Sequence, residues 1–151
     1  AIPPNISFVA MILWSRHSDK TNERTWHVAL ACLTAAVGLA IAASTGSMFG
    51  LIAALTIVNV GISCSKPPLW SMPTMFLSGA AAATGIATIN SIGNLGGFAG
   101  PAMIGWVKDQ TGRFAGGMYF LAGLLILSTV LTLVLSFTQK NKANSAELSN
   151  S

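Results

Sequence analysis

A chain of 151 residues that is 52% hydrophobic and only 8% charged departs far from a soluble domain, where about a quarter of residues carry charge. Too few solvated side chains remain to cover a globule, so lipid is the expected solvent. The formal net charge of +4 comes from basic residues spread along the chain without aromatic interleaving, which argues against a nucleic-acid partner and for orientation in a bilayer.

The first apolar stretch, Ile6 to Trp14, is too short for a span and follows no basic segment, so it is not a signal peptide. Residues 1–15 read as the closing part of a transmembrane helix that begins upstream, and residues 16–25 as a charged loop. Four spans are expected within residues 26–138, at about 26–43, 48–75, 79–107 and 117–137, each near the ~20 apolar residues that cross the hydrocarbon core. Ser44-Thr45-Gly46-Ser47 separates the first two. The polar tail 139–151 has little to bury and is expected to be disordered.

Loop charges orient these spans. The side holding 16–25 and the tail carries Arg16, Lys20, Arg24, Lys140 and Lys142, whereas the other side has only Lys108 and Arg113. Positive residues collect in the cytoplasm, which puts the C-terminus there. Trp14, Trp26 and Trp106 fall at span ends, the depth an indole prefers.

Within the second span lies Lys66, the one charge well inside an apolar segment. Such a cation faces a bundle interior or snorkels to the interface, the latter eased by Pro67-Pro68. Asn59, seven residues earlier, shares its face. The third span carries GIATINSIGNLGGFAGP, in which Asn90 and Asn94 lie within about 40° of each other around the helix. Gly93, Gly96, Gly97 and Gly100 form small-xxx-small pairs suited to close helix packing. An unpaired amide in hydrocarbon costs several kcal/mol, so both asparagines must face protein or water. Two readings stand: hydrogen bonds between helices, or the lining of a mid-membrane polar cavity, where transporters hold substrate.

Cys32 and Cys64 sit in apolar segments without metal-ligand or redox spacing and read as buried free thiols. Metal clusters, paired carboxylates and Ser/His/Asp constellations are missing, so neither an enzyme, a metal site nor a cofactor is expected. A phosphate-cradling loop is a poor reading of the glycines, since no strand precedes them.

The run Trp14-Ser15-Arg16-His17-Ser18-Asp19-Lys20-Thr21-Asn22-Glu23-Arg24-Thr25 resembles the cytoplasmic signature loop of major facilitator superfamily transporters, roughly G-x-x-x-D-[RK]-x-G-[RK]-[RK]. Asp19 and Lys20 match its core and Arg24 a later basic position, while Ser15 and Asn22 replace two glycines. Together with SDKTNERTWH, the segment FLSGAAAATGIATINSIGNLGGFAGPAMIGWVKDQTG is similar to the anion:cation symporter family, whose members include bacterial permeases for tartrate, phthalate, 4-hydroxyphenylacetate and sugar acids.

The resemblance covers nearly all of residues 6–138. It implies an all-α membrane protein, the end of the eighth span plus the ninth to twelfth of a twelve-helix fold, in a bacterial inner membrane. It implies transport of an organic anion, with protons, by alternating access between this portion and an N-terminal half outside the chain. Asn90, Asn94, Lys66 and Asn59 would then bind substrate, and Asp19, Lys20 and Arg24 would form a conformational latch. Asp19, Glu23, Asp109 and Glu147 all lie at span ends or beyond, so a coupling carboxylate would belong to the other half. The rival reading is a non-transporting scaffold or receptor-like module whose polar residues only pack helices.

Overall fold

The computed structural model of the chain describes residues 2–21 and 23–149, with side chains for all of these except 2–4, 74–76, 139, 140 and 142–149. Asn22, the end of the tail and the side chains of Lys140 and Lys142 lie outside that description. Five helices follow in order: α1 (Ile2–Thr21), α2 (Arg24–Ser44), α3 (Met48–Phe76), α4 (Gly79–Thr111) and α5 (Ala115–Ser149). The described residues contain no strand, and the all-α membrane class expected from the sequence is the one observed.

Chain chemistry explains two of the helix ends. Ser47 caps α3, its Oγ accepting from the Gly50 N–H at 2.9 Å, which satisfies one of the donors a helix start leaves free. Gly112 ends α4 in the left-handed region at φ 69°, a conformation that costs glycine least.

Two segments differ from expectation. Residues 16–25 were expected as a loop, yet α1 runs through Thr21 and α2 begins at Arg24. With Ser15 in place of a glycine, nothing from Asn5 to Thr21 breaks a helix. The tail expected to be disordered continues α5 to Ser149, because no glycine or proline follows Gly123.

Helices α2, α3 (over Met48–Pro73) and α5 (over Ala115–Thr138) are long and apolar enough to cross a membrane. Helix α4 falls short of that apolarity although it has 33 residues. Its glycines, threonines and two asparagines dilute the apolar content without shortening the helix.

α2 is the centre of the bundle and packs most extensively on α3 and α5. Its buried face is built of small residues, among them Ala31, Ala35, Gly38 and Ala42. A Cβ on Gly38 would lie 2.9 Å from the Val58 backbone nitrogen, and one on Gly61 2.7 Å from the Ala31 carbonyl oxygen. The two backbones therefore meet through paired glycines, the arrangement that small-xxx-small packing produces. On the other flank Leu39, Val58 and Ala122 form a core that Leu121 and Leu125 extend. The Thr129 hydroxyl is shared between the Leu125 carbonyl (2.9 Å) and the Ala29 carbonyl of α2 (3.4 Å).

α4 is attached differently. It has no buried residue. Near its start Gly85 meets the Leu77 side chain, and near its end Ile104 and Val107 meet Gly117 and Gly116 of α5. Between those anchors every residue from Ala87 to Ala99 is exposed.

Candidate functional site

Three polar features emerge from this frame, at the α1–α2 junction, along α3 and along α4.

At the junction, Asp19 and Arg24 come together as expected for a latch, Oδ1 to Nη2 at 3.8 Å. Arg24 Nη1 also donates to the Ser71 carbonyl oxygen of α3 at 3.4 Å, so one guanidinium links the ends of three helices. Lys20, the third expected member, is exposed and takes no part. Pro67, Pro68 and Pro73 lie in this part of α3 and deprive the carbonyls of Ser63, Cys64 and Leu69 of their helical donors. Arg24 thus clasps a stretch of helix weakened by its own sequence.

Beneath the clasp is a group that the sequence reading passed over. His27 is buried, and its Nδ1 lies 2.7 Å from the Glu23 carbonyl oxygen, which makes Nδ1 the protonated nitrogen. The Trp14 ring packs edge-on against it at 5.1 Å and donates from Nε1 to the His27 carbonyl at 3.3 Å. The His17 ring also lies 5.3 Å from it. Trp14, expected at the depth of the membrane surface, is also a packing partner in the α1–α2 turn. The spacing of Trp14, His17 and His27 held the signal, but only the fold of the turn brings the three rings together.

Two buried atoms in this region, Ser18 Oγ and Arg24 Nε, have no hydrogen-bond partner. Each lowers the stability of the closed arrangement, because an unsatisfied buried donor costs about 1–3 kcal/mol. Arg24→Gln, which removes both the clasp and the ion pair, is expected to lower stability by about 1–3 kcal/mol. Asp19→Asn should cost less than about 1 kcal/mol, since the Asp19 side chain is 63% exposed. Thermal unfolding in detergent compares the two, and equal losses would remove Arg24 from its bridging role.

Along α3, Asn59 and Lys66 are both exposed on one face. The Ser63 hydroxyl lies between them and donates to Asn59 Oδ1 at 3.4 Å. Lys66 has no carboxylate partner among the described residues.

Along α4, Asn90 and Asn94 are exposed, and neither has a hydrogen-bond partner among the described residues. Gly93, Gly96, Gly97 and Gly100 have no atom within 4 Å of where a Cβ would stand. The expected close packing on these four glycines is therefore not made among the described residues; the glycines at the α2–α3 contact are Gly38 and Gly61 instead. The structure brings Asp19 and Arg24 together and aligns Asn59 with Lys66, but hydrogen-bonds neither asparagine of α4 to them.

Apolar helices long enough to cross a membrane fit an integral membrane protein, and the chain is similar to proteins named as transporters. Two proteins of Agrobacterium vitis named for tartrate transport are 70% identical over 138 residues and 71% identical over 136. A quinolone resistance transporter of Acinetobacter baumannii is 35% identical over 134 residues. These matches cover 91%, 90% and 89% of this chain but only 32%, 30% and 31% of the relatives. The chain thus spans about a third of the length of the curated relatives it matches, and it fits a fragment of a major facilitator transporter. No family model and no solved structure matches it. The relatives are transporters, not enzymes.

Proposed function

We propose that this chain forms the C-terminal portion of a proton-coupled transporter of the anion:cation symporter family, carrying a hydroxylated dicarboxylate of the tartrate class across a bacterial inner membrane by alternating access. The observation that carries the reading is the pair Asn90 and Asn94, exposed at the middle of α4 with no hydrogen-bond partner among the described residues. Amides at that depth need a polar partner, and a hydroxylated carboxylate offers both donors and acceptors to them. The 70% identity to proteins named for tartrate transport supports the substrate class.

Asn59, Ser63 and Lys66 supply a second polar edge from α3, with Lys66 contributing positive potential to the same cavity. The remainder of the transporter closes over α4 and provides the coupling carboxylate. All four helices from α2 to α5 cross the bilayer in this reading, with the C-terminus cytoplasmic. The Asp19–Arg24 clasp is made in one state and broken in the other. A single clasp of this modest strength can bias the two states only if they lie close in free energy, and the unsatisfied Ser18 and Arg24 atoms fit such a balance.

Cells expressing the complete gene product that carries this chain should accumulate labelled L-tartrate saturably, and a protonophore should collapse the accumulation. Failure to take up any of a panel of hydroxy- and dicarboxylates, with the protein present in the membrane, would sink the proposal and leave the scaffold reading.

A further inference from the structure

α1 and α3 enclose a groove of about 210 Å³ lined by Met11, Ile12, Ser15, Arg16 and Pro67. A separate cavity between α1, α2 and α3 takes Ala10 and Trp14 from α1, together with Gly61 and Cys64 from α3. On α1 these two sets lie on opposite flanks, about 150° apart around the helix. The groove therefore opens away from α2, the buried centre of the bundle.

On α3, Pro67 lies within about 40° of Ser63 and follows Lys66 directly. Around that helix it sits between the Asn59–Ser63–Lys66 face and the surface that meets α1. Arg16 thus stands on the same side of the molecule as the polar face of α3, near the level of Lys66. Neither cation has a carboxylate partner among the described residues. The nearest acid in sequence, Asp19, is already paired with Arg24.

We propose that Arg16, acting with Lys66, forms an anion-binding subsite at the cytoplasmic mouth of the transport path, taking one carboxylate of the substrate as it enters or leaves; this rests on the reading of the chain as part of an organic-anion transporter. Arg16 at the groove, Lys66 next in sequence to its lining residue Pro67, and apolar Met11, Ile12 and Pro67 around them make a positive, partly dry surface that raises the local anion concentration. The guanidinium presents a planar fork that pairs bidentately with a carboxylate, while the Lys66 ammonium acts as a point charge beside it. Ser15 adds a hydroxyl at the same rim. The volume suits a four-carbon dicarboxylate.

Two measurements test this. In cells expressing the complete gene product, Arg16→Gln should raise KM for L-tartrate about tenfold with little change in kcat, because a charge-assisted contact to the entering anion is lost. Arg16→Lys should fall between the parent and Arg16→Gln, since it keeps the charge but loses the bidentate fork.

Independently, Ser15→Cys in a Cys32→Ala, Cys64→Ala background is labelled in inside-out vesicles with an anionic and a cationic methanethiosulfonate, each normalised to a free thiol. The anionic reagent should react about fivefold faster, and Arg16→Gln with Lys66→Gln should bring the ratio near unity. Unchanged KM in Arg16→Gln, or a labelling ratio that ignores both substitutions, overturns the subsite and leaves Arg16 as a topology signal. If the parent takes up no carboxylate, the transport reading fails first, and the labelling ratio alone decides whether this rim attracts anions.

Discussion

Asn90→Ala and Asn94→Ala, made singly in the complete gene product, are each expected to reduce tartrate uptake about 10- to 100-fold while membrane abundance stays within twofold. The magnitude follows from what each amide offers. A buried site that hydrogen-bonds substrate hydroxyls loses roughly 1–3 kcal/mol when one partner is removed, because the substrate group is left dry and unpaired. The two substitutions should be less than additive, since the amides lie one turn apart on one face and would address the same molecule.

Packing makes the opposite forecast. Neither asparagine hydrogen-bonds to another helix among the described residues, so within these five helices Asn90→Leu removes no such bond. Uptake undiminished in both alanine variants would take the amides out of the site. A loss of membrane-inserted protein in parallel with uptake would point to packing against the rest of the transporter.

Gly61→Leu is expected to have the largest effect on stability. A Cβ there would stand 2.7 Å from both the Ala31 oxygen and the Ala35 nitrogen of α2. Those atoms are backbone and cannot swing aside, so even Gly61→Ala forces α2 and α3 apart. Overpacking of this kind costs about 1–3 kcal/mol, and leucine adds the loss of the dispersion contacts that the close approach allowed. Gly38→Leu should behave alike, because it would meet the Val58 nitrogen at 2.9 Å. Gly97→Ala serves as the control in the isolated 151-residue chain, where nothing surrounds that position. Thermal unfolding in detergent should rank Gly61→Leu and Gly38→Leu far below the parent and Gly97→Ala beside it. Equal behaviour of all three would mean that the α2–α3 seam is not the stabilising contact.

These two sets of residues also mark where sequence reading succeeds and where it stops. The apolar run from Trp26 to Ala43 falls wholly inside α2, and the span expected at 117–137 falls wholly inside α5. Uninterrupted apolar length is a local property, and a helix that must satisfy its own backbone in lipid follows from it directly. The start of α3 was readable for the same reason, since the Ser44–Ser47 segment breaks the helix and Ser47 restarts it.

Partner choice is not local. The glycines from Gly93 to Gly100 look more like a packing seam than isolated Gly38 or Gly61 do, yet among the described residues the isolated pair is packed and the run is not. A glycine permits close approach; it does not decide which helix arrives. The same limit hid His27, whose burial depends on the α1–α2 turn folding Trp14 and His17 over it.

By itself, then, the sequence determined a lipid-embedded helical protein, the approximate limits of its long apolar helices and a resemblance to anion transporters, because hydropathy, chain breakers and motifs are written in consecutive residues. Only the tertiary structure decided that Arg24 joins three helix ends, that α2 and α3 interlock through single glycines, and that the asparagine face of α4 stays open. Those depend on which surfaces meet across tens of residues, where close-packed backbones admit one fit and exclude the rest.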